Sequence, residues 1–408
     1  MKTRIAGRWV AAFIFSISVM LNALDRNLLA AVQPSLRQQF DLSNAQYGDV
    51  VAAFSLVYGC SAPLMGFLLD RYGLTRVATC AVGLWSFASV MTGMARSFPA
   101  LLGWRALLGF AESAALPSSG KAYAQLLHPE ERSLGTATNQ LGLAVGSVGA
   151  ILLAGWMTPR WGWQSNFLIT GPLGWLWIPF WVSTARRMPA ASAEAGFQGA
   201  GLKKPPEDAR GVLRDMRLWA LVAANLLTMP LYSLWTNWTT AYLVRERGLT
   251  ESAANLRFAW IPPVLATLGG AAGGWTAMRS AAQGVQRSRY RVCLWSAAGL
   301  LSTAAIPFMP SAGLATLGIG LSFFLTLAIS VNVYAMPLDL YGPARSGLAF
   351  SMLTSIYGLM QAAISPQIGR VVDGIGFTPV CIAGSVCPLS GVLVLRLAGF
   401  NRKAEDES

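Results

Sequence analysis

Runs of about 20 mostly apolar residues, the length a helix needs to cross a bilayer, follow one another along nearly all of this 408-residue chain. They fall at 9–34, 47–69, 77–95, 98–121, 133–156, 164–184, 217–243, 255–277, 291–309, 312–337, 346–369 and 377–398. Hydrocarbon offers no partner to a backbone N–H or C=O, so each run is expected to satisfy its own as a helix. The rest of the composition agrees. Charged residues make up 12% of the sequence, half of the roughly 25% usual in a soluble domain. The 15 Trp and 41 Gly suit membrane interfaces and close helix packing.

Between the sixth and seventh runs lies the one long connection, 185–216, with Pro189, Gly196, Gly199, Gly201, Pro205 and Pro206 among charges of both signs. The expected class is an all-α membrane protein, twelve transmembrane helices in two pseudo-symmetric six-helix bundles. The bundles are 1–184 and 217–408, the second ending in a short cytoplasmic tail, and 185–216 is a cytoplasmic linker. A substrate site is expected between such halves. With the N-terminus inside, the inner segments hold about twenty Lys and Arg and the outer loops about six, Arg37, Arg96, Arg160, Arg245, Arg247 and Arg370. That bias predicts that both termini face the cytoplasm. It also accounts for the net charge of +13 without nucleic acid. Lys2, Arg4 and Arg8 precede the first run, but no small-residue cleavage site follows, so it is expected to remain as an uncleaved span.

Cys60, Cys80, Cys293, Cys381 and Cys387 lie in or beside apolar runs with no C-x-x-C spacing, and are expected as buried free thiols. The sole histidine, His128, stands in a charged loop with Glu130, Glu131 and Arg132. No nucleophile elbow or phosphate-binding loop is present, which argues against an enzyme or an ATP-driven pump, and no cofactor or metal is expected.

Charges inside a span cost at least about 2.5–3.5 kcal/mol each by insertion scales, so those that occur point to function. The first run carries Asp25 and Arg26; the fourth carries Arg105 and Glu112, with Lys121 at its end. Arg257 and Arg396 lie near run ends, where they can snorkel. Arg105 and Glu112 are nearly two turns apart on one face, too far to pair directly. Asn22, Arg26 and Gln33 share a face of the first run. Arginine offers a planar fork that matches a carboxylate. The functional reading is therefore anion binding by Arg26 and Arg105 and proton carriage by Asp25 and Glu112; the alternative is ion pairing that only holds helices together. Tyr58, Gln140, Tyr232, Asn332, Tyr357 and Gln361 could bond substrate hydroxyls, or act as interhelical glue, as could Asn225.

A weak internal repeat relates Gly66 and Arg71 at the end of the second run to Gly274 and Arg279 at the end of the eighth. The first copy reads Gly66-x-x-x-Asp70-Arg71-x-Gly73-x-x-Arg76, and resembles the signature loop of the major facilitator superfamily. In finer detail the chain resembles the anion:cation symporter family of bacterial hexuronate, glucarate and galactonate carriers. That likeness rests on Leu24-Asp25-Arg26-Asn27, Ala53-Phe54 with Tyr58, Arg105 with Gly109 and Glu112, and Pro117 with Lys121. It continues through Trp238, Tyr242-Leu243, Ile364-Ser365-Pro366 and Gly369. The resemblance implies a monomeric, proton-coupled symporter of small organic anions in a bacterial inner membrane. By it, Asp25 and Glu112 serve proton coupling, Arg26, Tyr58 and Arg105 bind the anion, and Gly66, Asp70, Arg71, Gly73 and Arg76 form a gating loop. Asp70 would meet the start of the eleventh run near Arg345-Ser346-Gly347. The chain departs from the family pattern at Met278, where the second loop has an acid, and at Thr239, where proline is usual. A proton-driven exporter of the same fold is the competing reading, disfavoured because cation exporters need unpaired acids.

Topology is testable directly. Reporter fusions at Gly199 and Ser408 should both read as cytoplasmic; an external signal at either site would contradict the six-plus-six arrangement.

Overall fold

The computed structural model describes residues 2–128, 131–186, 209–280 and 284–401. Side chains are described for these except residues 2–7, 70, 124, 132–133, 136–137, 209–210 and 343–347. Nearly all of the described chain is helical. Nine helices among the described residues are long and apolar enough to cross a membrane. We refer to the helical rods in chain order as spans. Span 1 is Lys2–Ala31, span 2 Asn44–Tyr72, span 3 Leu74–Gly93 and span 5 Arg132–Trp161. Span 7 is Met216–Arg247, and span 9 is Val285–Leu300 with the 3-10 turns Leu301–Phe308. Spans 10 and 11 form one helical run, Ala312–Ile375, bent at Gly342, whose φ of 68° only glycine adopts readily. Span 12 is Thr378–Leu397.

The other three rods are interrupted, and proline accounts for each break. Span 4 is Phe98–Glu112 followed by Ala115–Leu126. Pro117 has no N–H to bond Ser113 and crowds its carbonyl, which places the break at 113–114. Span 6 is Gln164–Thr170 followed by Leu173–Arg186, parted at Gly171-Pro172. In span 8, Glu251–Ala254 runs through a π turn, Asn255–Ala259, into Ile261–Arg279. The π turn precedes Pro262 and Pro263, which cannot donate to the ladder. Proline also corrects the first run: the helix ends at Ala31, and Pro34 starts a separate short helix, Gln33–Phe40. Gln33 therefore does not continue the polar face of Asn22 and Arg26.

The chain groups into two compact units, Met1–Asp41 with Asp49–Lys203, and Leu42–Gly48 with Lys204–Ser408. The expected linker falls largely on 187–208, outside the described residues. Lipid tails are as apolar as leucine, so close backbone approach, rather than exclusion from water, must join helices. Glycine provides it in both units. A Cβ on Gly109 of span 4 would strike the Phe54 carbonyl of span 2, and one on Gly146 of span 5 would strike the Met20 carbonyl of span 1. In the second unit, Gly269 of span 8 meets the Phe324 backbone, and Gly273 meets Ala328. Aromatic packing fills the remainder. In the first unit, Phe15 sits edge-on to Trp177 and Trp181, which stack 5.6 Å apart.

Polar groups secure helix ends. Lys121 Nζ donates to the Leu69 carbonyl at 2.7 Å, near the carboxyl end of span 2, where a cation is favoured by the helix dipole. Lys121 thus serves a helix end and is not one of the inner charges. Arg247 plays the same part in the second unit, donating to the carbonyls of Ile306, Pro307 and Met309 and to Tyr242 Oη. Residues 42–48 are held within the second unit by Asp373, which accepts the backbone N–H groups of Asn44 and Ala45, each at 3.0 Å. Tyr47 packs edge-on against Trp238 at 5.2 Å. Three of the five cysteines depart from the expected burial: Cys60 and Cys80 are exposed on their helices and Cys387 is half-buried, while Cys293 and Cys381 are buried.

Span 4 offers an internal control on glycine packing. Nothing lies within 4 Å of a Cβ built on Gly103. Gly103→Ala should be neutral or stabilise by up to about 1 kcal/mol through helix propensity. Gly109→Ala should lower the melting temperature in detergent, because backbone cannot yield. Equal effects at both positions would contradict the crossing described.

Candidate functional site

The charges of spans 1 and 4 gather in the first unit. Glu112 is fully buried, and Asp25 and Arg105 are each 3% exposed. Glu112 ends the first segment of span 4, so its carboxylate lies beside the break that Pro117 imposes. Arg26 Nε donates to Glu112 Oε2 at 2.7 Å, an ion pair bridging 86 positions of sequence. Arg105 shares a helix with Glu112 but is not its ion-pair partner; its charge nevertheless reaches both Glu112 and Asp25. Asp25 points away from its neighbour Arg26, as adjacent helical residues must, and accepts a hydrogen bond from Ser89 Oγ of span 3 at 3.0 Å.

Span 2 adds an aromatic floor. Phe54 and Tyr58, one turn apart, stack with ring centroids 5.7 Å apart and planes 19° from parallel. The Arg26 guanidinium carbon lies 4.4 Å from the Tyr58 centroid and 5.1 Å from that of Phe54. That of Arg105 lies 5.0 Å from the Phe54 centroid. Three helices thus supply one cluster of two guanidiniums, two carboxylates and two rings, buried except for the half-exposed Arg26, and a fourth adds Ser89.

The remaining sequence candidates separate. Tyr232 and Tyr357, in the second unit, pack edge-on at 5.8 Å, with Phe323 beside Tyr232; all three and Gln361 are accessible or half-accessible except Phe323, which is buried. Gln140 is exposed on span 5. Asn332 is fully buried and its amide N–H groups donate to the carbonyls of Gly273 and Ala328, the contacts expected of interhelical glue. Asn225 does the same, donating to the Leu353 carbonyl. Of the loop residues, Gly73 takes a φ of 84° between spans 2 and 3. Arg71 and Arg76 are exposed there, with Gly66 a turn earlier. The side chain of Asp70, and those of Arg345 and Ser346, lie outside the described residues. His128 is exposed, and its N–H binds Glu131, holding that carboxyl below its ordinary range. Ser89 and the ring contacts of Phe54 were not singled out from sequence, because no spacing within one helix reports a partner on another. Among the described residues no group of His, Cys, Asp and Glu could hold a metal ion.

Comparison with known proteins bears on this cluster. The family profile of the Major Facilitator Superfamily matches residues 15–364. A hexuronate transporter of Escherichia coli (strain K12) is 24% identical, over 97% of this chain and 95% of its own. A galacturonate transporter of Dickeya chrysanthemi is 29% identical over 66% of this chain and 81% of its own. Among solved structures, a bacterial homolog to the human lysosomal transporter Spinster superposes with a TM-score of 0.75 at 19% identity, over 97% of this chain and 96% of that one.

Removing one partner of a buried ion pair strands the other and costs about 3–5 kcal/mol. Arg26→Ala should therefore lower the melting temperature in detergent, and adding Glu112→Gln should restore much of the loss. Adding Glu112→Gln to Arg105→Ala should restore less. Equal rescue of both arginine variants would contradict the observed pairing.

Proposed function

Because the chain belongs to the major facilitator superfamily, whose members carry solutes rather than transform them, we propose that it moves a small organic anion of the sugar-acid class, in symport with protons, by alternating access. The observation that carries this reading is the pair of guanidiniums, Arg105 buried and Arg26 half-buried, beside two buried carboxylates. Two arginines held together in a largely apolar surrounding suit an anionic cargo. The hexuronate and galacturonate carriers among the relatives point to the same cargo class.

Coupling follows from competition for Arg26. Arg26 Nε donates to Glu112 Oε2, a contact that favours the ionised carboxylate. A substrate carboxylate that takes the Arg26 guanidinium removes the positive neighbour, and a buried carboxylate without a counter-charge is favoured in its protonated form. Proton uptake and substrate binding then promote each other, as linkage requires. Arg26, rather than Arg105, is the residue that Glu112 yields to the substrate. Arg105 supplies the second positive charge, Tyr58 supports Arg26, and Asp25, bonded to Ser89, is the second carrier of protons. Tyr232, Tyr357 and Gln361 are proposed to bond substrate hydroxyls, and Gln140 a further polar group. The Gly66–Arg76 loop, with Asp70, is proposed to gate the cytoplasmic side. Both termini are placed in the cytoplasm of a bacterial cell, with the protein monomeric in the inner membrane.

Purified protein in liposomes should accumulate D-galacturonate or D-glucuronate when the outside is made acidic, and a protonophore should abolish the accumulation. Glu112→Gln should keep counterflow exchange but lose pH-driven accumulation, and Asp25→Asn should show a similar, partial defect. Uptake of neither sugar acid would overturn the cargo class. Accumulation by Glu112→Gln with protons as the sole driving force would overturn the coupling role of Glu112.

A further inference from the structure

One ring touches both arginines. The Phe54 centroid lies 5.1 Å from the Arg26 guanidinium carbon and 5.0 Å from that of Arg105, whereas Tyr58 contacts Arg26 alone. Two like charges held over one ring, Arg105 buried and Arg26 half-buried, repel each other, and a neutral aliphatic side chain in place of the ring would do nothing to offset it. An aromatic face carries partial negative charge, so it attracts each guanidinium without adding a formal charge that would compete for the substrate. Phe54 is also fixed more firmly than a side chain on a mobile segment could be. Its backbone is the point at which span 2 meets Gly109 of span 4, and Gly109 stands one turn from Arg105. The ring is 8% exposed and stacked on Tyr58. The crossing that brings the two helices together therefore also sets the ring against both cations.

We infer that Phe54 is a positioning residue for anion recognition: its ring bridges Arg26 and Arg105 by cation–π contact and fixes the spacing of the two guanidiniums that meet the substrate carboxylate. This rests on the sugar-acid reading above for its substrate, though not for its geometry. The ring touches no transported atom in this role. It acts through the arginines, so its loss should fall on affinity more than on turnover. Tyr58 bears on one arginine only, and cannot replace it.

The test separates ring electronics from ring shape. Phe54 is replaced by phenylalanine carrying one, two or three ring fluorines, which drain the face of negative charge with little change of volume. KM for D-galacturonate uptake in liposomes should rise stepwise with fluorine number, reaching roughly tenfold for the trifluoro ring, with kcat little changed. Phe54→Trp should retain most of the affinity, and Phe54→Leu should lose as much as the trifluoro ring. A merely packing ring would leave KM flat across the fluorine series, and that result overturns the proposal. A second readout needs no substrate. Phenylglyoxal labelling of Arg26 and Arg105, resolved by mass spectrometry, should rise several-fold at both sites in Phe54→Leu, and at Arg26 alone in Tyr58→Leu. Unchanged labelling at Arg105 in Phe54→Leu overturns the bridge. Should the wild type carry no hexuronate, the cargo reading fails and the labelling still decides the role of Phe54.

Discussion

A fully buried carboxylate ion-paired with an arginine of another helix governs what the first unit can be. Glu112 has no exposed surface, and Arg26 reaches it at 2.7 Å from another helix. Ionised Glu112 has no contact with solvent and depends on its cationic neighbours, whereas Arg26 is half-buried. The pair therefore fixes the register of span 1 against span 4.

The backbone crossings make the pair possible. Gly109 lets span 4 lie against Phe54 of span 2, and Gly146 lets span 5 lie against Met20 of span 1. A side chain at either glycine would push the helices apart, and the charged groups with them. The break after Glu112 adds a local condition, because it ends the regular ladder where the carboxylate must turn to another helix. Proline placement, glycine placement and the ion pair are in this sense one design.

Much of this was legible before the fold. The apolar runs marked the rods, and the cost of an intramembrane charge singled out Asp25, Arg26, Arg105 and Glu112. The pairing among them was not legible. Helix spacing ruled out a direct pair between Glu112 and Arg105 but could not name Arg26, which stands 86 residues away in sequence and is brought to Glu112 by tertiary packing. Asn332 shows the complementary limit: an amide in an apolar run reads identically whether it faces a substrate or a neighbouring carbonyl, and here it donates to Gly273 and Ala328. The separate short helix after Ala31 was in principle readable from Pro34, and the apolar run obscured it.

The central claim is that substrate takes Arg26 from Glu112 and that Glu112 then gains a proton. Infrared difference spectroscopy of the wild-type protein in liposomes, recorded on adding D-galacturonate, reads this directly. A carboxylic C=O stretch should appear as a carboxylate band disappears, should shift in heavy water, and should be absent in Glu112→Gln. A wild-type difference spectrum in which galacturonate binds without any new carboxylic band, or with one that persists in Glu112→Gln while Asp25→Asn removes it, would contradict the claim.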